Sequence, residues 1–466
     1  MKKRRSFLKS LGAGLAALGV SARNAGAKPA SGPHVWANRP EKYTTDVLVC
    51  GGGPAGIGAA IGAARTGAKT MLVENHAFLG GVASYGIGMP INQMRPMETP
   101  RSVVHEQVIE GLLRYGDHAV MIGPHQLWCN VDYLRAVVLE ALDAVQCKYL
   151  THTRVVDTIV QNDRVAGVVI ATKQGLVRIG AKMVIDGTGD ADIACYSGAE
   201  TMIEYGNLSP MTLLINVTNI NHEAARKASR KEIVKKAKHK YPLLPDSWGL
   251  NRYNSHTTLN INHPGTKVMG QVDGTNPDQL TAAEAHSRRQ AVQMIEAMRE
   301  FGGPEFKDIE LARTSAQVGV RETRRVKGSY ILTEEDAMAG QKFDDVIAWR
   351  SGFLDIGHVR LSRMKIHDVP YRAIVPEKMD GLFMTGRCIS ATHVAASAGK
   401  SMGNCVATGH AAGLAATLCI EKNCQPRDLS VALVQNALRK DGVDLDMGGK
   451  MQDALKSGAS APPRKS

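Results

Sequence analysis

Gly51, Gly53 and Gly56 stand in the spacing G-x-G-x-x-G, within Gly51-Gly52-Gly53-Pro54-Ala55-Gly56. A short apolar run, Asp46 to Cys50, leads into them, and a small-residue segment, Ala55 to Thr66, follows. In a strand–turn–helix setting each glycine has its own task. Gly51 permits the tight turn, Gly53 lets the backbone approach a pyrophosphate, and Gly56 lets helix and strand pack closely. The helix start then offers free N–H groups and a positive dipole end to phosphate. The next strand, Thr70 to Glu74, ends in a carboxylate 18 residues after Gly56, placed to accept hydrogen bonds from ribose hydroxyls. A glycine-rich turn without a ligand is the plainer alternative, but strand, helix and acid agree on a nucleotide.

Three further segments bear on which nucleotide. Leu79-Gly80-Gly81 adds a glycine pair just after Glu74. Asp186-Gly187-Thr188-Gly189-Asp190 closes a strand far down the chain, and Phe383-Met384-Thr385-Gly386-Arg387 is another strand–glycine junction. A simple NAD site does not need all of these. FAD does, because its flavin lies far from its adenine.

At these residues the chain resembles the FAD-dependent oxidoreductase family, within the glutathione-reductase-like flavoproteins that carry a glycine doublet. The resemblance runs from about Thr45 to Leu418 through DVLVCGGGPAGIGAA, LVENHAFLGG, MVIDGTGDADIA, VGVRETRRVKGSYILTEED, FDDVIAW, PYRAIVP and FMTGRCISATHVAAS. It implies FAD contacts at Gly51, Gly53, Gly56, Glu74, Gly81, Val155, Gly189, Gly386 and Arg387, with Val155 meeting the adenine through its backbone. Pro54, Ala55, Asn75, Gly80 and Thr188 adjoin these and belong to the same expected set. Two positions depart from the family pattern. Lys400 stands where an arginine is usual, seven residues after His393, and His410 replaces a glutamine. A lysine keeps the charge but loses the planar two-pronged donor.

The chemistry expected on such a cofactor is hydride exchange between a substrate carbon and the flavin. A polar substrate then needs an acid or base for its O–H or N–H proton and cations for developing negative charge. His393 follows the Gly386–Arg387 junction and reads either as that acid or base or as a histidine bonded to cofactor or backbone. Arg321 and Arg324 are the expected substrate-anion clamp. The alternative for two of Arg321, Arg324 and Arg325 is an ion-pair network with Glu322. His358, three residues after Asp355, is a weaker candidate. No His/Cys cluster has metal-ligand spacing, and none of the eight cysteines forms a CxxC pair. No metal is expected, and the thiols read as small buried hydrophobes.

The elements that must hold these residues read as an α/β chain. A Rossmann-like FAD-binding domain, a parallel sheet plus a β-meander over 151–186, is expected from 44–205 and 370–440. An inserted α+β substrate or cap domain is expected from 206–369. Helices are expected at Asp132–Val145, Glu223–Lys240, Thr281–Glu300 and Ala396–Ala416, with Thr333 as an N-cap. The stretch 450–466 is polar and reads as a disordered tail.

Residues 1–27 read as a twin-arginine signal peptide. Arg4-Arg5-Ser6-Phe7-Leu8-Lys9, an apolar run from Leu11 to Ala22, and Ala25-Gly26-Ala27 come in the right order. The run is shorter than the roughly 20 residues a membrane span needs. The leader's six basic residues account for part of the formal charge of +13, which falls to +7 without them. That argues against a nucleic-acid partner. The expected partners are a small-molecule substrate, an unknown electron acceptor and the export machinery, with no integral membrane segment in the mature protein. Two rival readings remain: a flavoenzyme of non-redox or sulfur chemistry resembling thiazole-forming enzymes, and a non-catalytic FAD-binding electron carrier.

Overall fold

The computed structural model describes residues 39–450, apart from 97–98, 124–125, 221, 247, 252–258, 263–264, 351–364 and 448–449. The expected leader, the 451–466 tail, Asp355 and His358 lie outside the described residues.

The chain opens with β1 (Glu41–Cys50), α1 (Pro54–Arg65) and β2 (Thr70–Val73). Helix α2 (Val131–Ala144), capped by the Asn130 side chain, leads to β3 (Lys148–Leu150). Strands β4 (Arg154–Gln161), β5 (Arg164–Thr172) and β6 (Gly175–Asp186) follow. β1 pairs in parallel with β2 and with β6, and β2 with β3. β4, β5 and β6 are the expected antiparallel meander, but β6 belongs to both layers. One edge of this 12-residue strand lies along β1, and the first half of its other edge lies along β5. The reason is length: β6 outruns the β1 register and has an edge to share.

Side chains alternate across the sheet as strand geometry requires. Leu48, Cys50, Met71 and Val73 pack with meander residues such as Val168, Ile170 and Ile179. Val47, Val49 and Leu72 face the opposite way, into a core with the helices.

A separate antiparallel sheet lies between the two parts of the nucleotide fold in sequence. It comprises β7 (Ile215–Thr218), β8 (Gly249–Asn251), β9 (Leu259–Asn262) and β10 (Glu310–Thr314), in the order β8–β9–β7–β10. Helix α3 (Pro277–Phe301) contributes Met294, Ile295 and Met298 to its core, beside Ile215 and Val217. α3 begins earlier than the expected Thr281, because Asn276 caps it through the N–H groups of Asp278 and Gln279, with Pro277 in the first turn. The expected basic helix Glu223–Lys240 is two helices, His222–Lys227 and Arg230–Ala237. Ser229 breaks it by taking the Glu232 N–H as an N-cap. The Thr333 cap is present, with Asp336 completing a capping box.

The chain returns through β11 (Val346–Arg350), β12 (His367–Pro370) and β13 (Leu382–Met384), the last joining β6 in parallel. The expected helix Ala396–Ala416 is instead α4 (His393–Gly399) and α5 (Met402–Lys422), interrupted at Lys400–Ser401. Helix α6 (Val431–Lys440) closes the described fold.

α1 and α5 cross at backbone distance. A Cβ on Gly409 would meet Ala55 O at 2.0 Å, and one on Gly413 would meet Ala59 O at 2.2 Å. Because backbone is the obstacle, no rotamer relieves the clash. Gly413→Val should therefore cost about 3 kcal/mol or more, at the upper end of overpacking penalties. Urea unfolding should show this as a lower midpoint, and an unchanged midpoint would contradict the close crossing.

Candidate functional site

The three glycines of the first turn behave differently from one another. Gly51 has φ of +100°, and a Cβ there would lie 2.5 Å from Gly187 O. A Cβ on Gly56 would fall 1.8 Å from Gly51 O. These two are required by the chain itself. Gly53 has φ −72° and ψ −178°, open to any residue, and nothing lies within 4 Å of a Cβ built on it. The space in front of Gly53 is therefore a cradle at the start of α1, whose N-cap makes no side-chain bond. Pro54 and Ala55 form the helix's first turn, and Gly386 abuts Ala55 from the other half of the fold.

Glu74 directly follows β2, with 7% of its surface exposed. Its Oε1 accepts from His76 N at 2.8 Å and His76 Nδ1 at 2.6 Å, and its Oε2 from Gly52 N at 2.6 Å. A carboxylate has about four lone-pair sites. Three are filled, so one remains on Oε2 for a ribose hydroxyl. Burial alone would raise the Glu74 carboxyl, but the bonds from His76 and Gly52 outweigh it and hold it below the ordinary value. The bond to Glu74 in turn raises His76 against the opposing effect of burial. Sequence reasoning missed His76, which has no motif of its own.

The second glycine pair follows directly. Gly80 and Gly81 have φ of +102° and +49°, and a Cβ on Gly81 would meet the Gly53 Cα at 2.9 Å. The segment entering β4 is tied to the same place, with His152 N on His76 O and Thr153 N on Glu74 O. That puts Val155 two residues from the Glu74 backbone. Asn75 is exposed. At the end of β6, fully buried Asp186 accepts from Thr188 N, Thr188 Oγ1 and Ala194 N, which sets the turn carrying Gly189 at φ +82°. Arg387 lies against Gly189 and pairs with Asp190 at 3.0 Å, while its buried Nη1 has no partner.

A small cleft lies beside Arg387, lined also by Ser209, Arg321, Glu322, Ser397 and Lys400. The structure thus brings together Arg321, one of the two expected clamp residues, and Lys400, the departure from the family pattern. Arg324 is not there. Its Nη2 binds Asp192 at 2.5 Å and its Nε binds Asp190 O, so the structure places it in an ion pair beside Asp190. Arg325 is 1% exposed and bound to Glu322, Glu204 and Ala391 O. His393 begins α4, with Nδ1 2.7 Å from Glu322 Oε1. A carboxylate only accepts, so Nδ1 carries the hydrogen and Nε2 is left for proton exchange. Burial would raise Glu322, but the bond and charge of His393, with Arg325, hold it low.

With this geometry in place, known proteins can be set beside it. A family model described as FAD dependent oxidoreductase matches residues 46–438. The chain belongs to this family. The family is one of FAD-dependent oxidoreductases, and FAD is its cofactor. Thiamine thiazole synthase of Methanococcus vannielii is 34% identical over 162 residues, 32% of this chain and 58% of that protein. The Aeropyrum pernix thiamine thiazole synthase is 34% identical over 185 residues, 36% of this chain and 63% of its own. The flavoprotein therefore spans less than two thirds of the length of these curated relatives. Among solved structures, a geranylgeranyl bacteriochlorophyll reductase-like protein from Thermoplasma acidophilum is 16% identical, with a TM-score of 0.43 over 89% of this chain and 88% of that one. Anhydrotetracycline hydroxylase from Streptomyces rimosus is 12% identical, with a TM-score of 0.46 over 90% and 74%.

FAD fits the residues present. The Gly53 cradle is open, α1 is uncapped, Glu74 keeps one acceptor position, and Arg387 keeps one unpartnered donor. Among the described residues no helix is long and apolar enough to cross a membrane.

Two buried histidines make the flavoprotein's stability pH-dependent. Burial pushes His367 down to about 4 and His105 well below the usual histidine value of 6.5. The unfolded chain takes up both protons near that value, and the folded chain does not. Their contribution is intact above it and is lost as pH falls through it. From about one unit below that point these two groups alone should lower the unfolding free energy by about 2.7 kcal/mol per pH unit, two protons' worth, with the raised His76 and Asp192 acting in the opposite direction. Denaturant titrations at about pH 7 and about pH 5 measure the slope; equal midpoints would refute it.

Proposed function

We propose that this flavoprotein oxidises a small polar organic substrate by hydride transfer to FAD and passes the electrons to an external acceptor. The observation that carries the reading is the meeting of the cleft, the Glu322–His393 pair and the Gly386–Arg387 turn in one place. Bound FAD supplies the electron sink. The chain's residues do the rest. Gly51, Gly53, Pro54, Ala55 and Gly56 hold the diphosphate. Glu74 and Asn75 face the ribose, and the backbone at Val155 meets the adenine. Gly80, Gly81, Thr188, Gly189, Gly386 and Arg387 line the path from diphosphate to flavin. Arg321 and Lys400 orient the substrate in the cleft, and the Glu322–His393 pair takes the substrate's O–H or N–H proton as its carbon gives up hydride. The 206–369 segment acts as the cap over this site.

The same proposal has residues 1–27 direct export of the folded chain through the twin-arginine route to the periplasm. The partial likeness to thiamine thiazole synthases covers about a third of the chain and gives weaker support to sulfur chemistry.

Anaerobic mixing with a panel of small alcohols, amines and hydroxy acids tests the reading. At least one class should bleach the bound flavin, with turnover on adding a dye acceptor. A flavin that every compound leaves oxidised would favour the electron carrier.

A further inference from the structure

α5 ends in a turn that brings two cysteines together. Asn423 leaves the helix in the left-handed conformation, with φ of 50° and ψ of 48°. Its N–H bonds to Ile420 O at 3.2 Å, and the Cys424 N–H bonds to Cys419 O at 3.0 Å. This is the Schellman pattern, in which the second residue past the helix folds back onto a side chain of the last turn. Here those two side chains are Cys424 and Cys419. Their thiols lie within hydrogen-bond reach of each other, and both stand beside Tyr371.

Apolar side chains commonly fill these two positions and only pack. Two thiols can also join. Cys419 is fully buried in the helix core, and Cys424 is partly exposed at its edge. The turn is also held in place. Gln425 Oε1 accepts from Gly381 N at 3.2 Å, and Pro426 O accepts from the Tyr371 hydroxyl at 2.8 Å. The chain has therefore already met the ordering cost of bringing the two sulfurs together.

We propose that Cys419 and Cys424 form a modification site, closing a reversible disulfide when the folded chain meets a disulfide oxidant. Cys424, the accessible thiol, attacks one sulfur of the oxidant. A mixed disulfide forms, and the first half of the oxidant leaves as a thiol with the Cys424 proton. Cys419 then attacks the Cys424 sulfur, and the second half leaves with the Cys419 proton. Two cysteine thiols are oxidised by two electrons, and one disulfide is reduced to two thiols. Burial, and next the Cys424 thiol, push Cys419 up, so it is the slow second partner. The closed bridge carries no charge, so burial does not oppose it. It staples the end of α5 to the turn beside Gly381, at the entry to β13, and does not depend on which substrate the flavin oxidises.

Oxidised glutathione tests this on the natively purified chain. Trypsin cuts after Lys422, between the two cysteines, so the reduced chain gives them in separate peptides, 401–422 and 423–427. After incubation, with the remaining thiols alkylated, the chain should be lighter by two hydrogens than the reduced chain treated alike would be without its two extra alkyl groups. The two peptides should appear as one linked species that separates on reduction. Fragmentation should place the link at Cys419, since Cys405 lies in the same peptide. Cys419→Ser should instead keep glutathione on Cys424, because the second step has lost its thiol. A wild type that keeps all its thiols overturns the proposal. So does one that holds glutathione on Cys424 without closing, or that links Cys424 to Cys405. If Cys419→Ser does not fold, the wild-type peptide map decides alone.

Discussion

Gly53→Ala is expected to fold as the wild type does and to lose its FAD. The backbone at Gly53 is extended, and a methyl there meets no atom of the chain. Its position as N-cap of α1 limits the stability cost to about 1 kcal/mol. With cofactor present, the methyl stands where the diphosphate must approach the N–H groups. Losing two charge-assisted hydrogen bonds at about 1.5–3 kcal/mol each weakens FAD by about 10²- to 10⁴-fold. Gly56→Ala should do the reverse, because its methyl strikes Gly51 O and disturbs folding before any ligand is involved. Unfolding curves and flavin retention on both variants check the contrast. A Gly53→Ala protein that keeps its flavin would remove the cradle from the account.

The second large effect is expected at His393. His393→Asn should slow flavin reduction by a bleaching substrate about 10²- to 10⁴-fold, the usual worth of a general acid or base, while flavin content stays normal. Glu322→Gln should slow it less and move its pH profile, because Glu322 fixes which imidazole nitrogen carries the hydrogen. Stopped-flow reduction under anaerobic conditions separates the two. Equal rates in His393→Asn and wild type would reduce His393 to a structural bond with Glu322.

Local patterns carried most of the nucleotide fold. The turn at Gly51–Gly56, the acid at Glu74 and the Asp186–Asp190 junction are legible because each job is done within a few residues. Helix limits were less so. Ser229 and the Lys400–Ser401 break lie inside runs whose composition still favours helix, and Asn276-Pro277 was a start signal that went unread. The meander was legible, but not the sharing of β6, which depends on relative strand lengths. Pairing over long separations was invisible. The bond of Arg324 to Asp192 spans 132 residues and leaves no local pattern. Arg101 and Arg350 carry no motif; their burial emerges only when β11, Gly386 and Gly399 converge.

Flavin analysis of the natively purified chain is the most direct test of the central claim. The nucleotide released on denaturation is identified by chromatography and compared with the protein concentration. The account predicts FAD in near-equal amount to the chain. Colourless protein that takes up no FAD on incubation, while remaining folded, would contradict it.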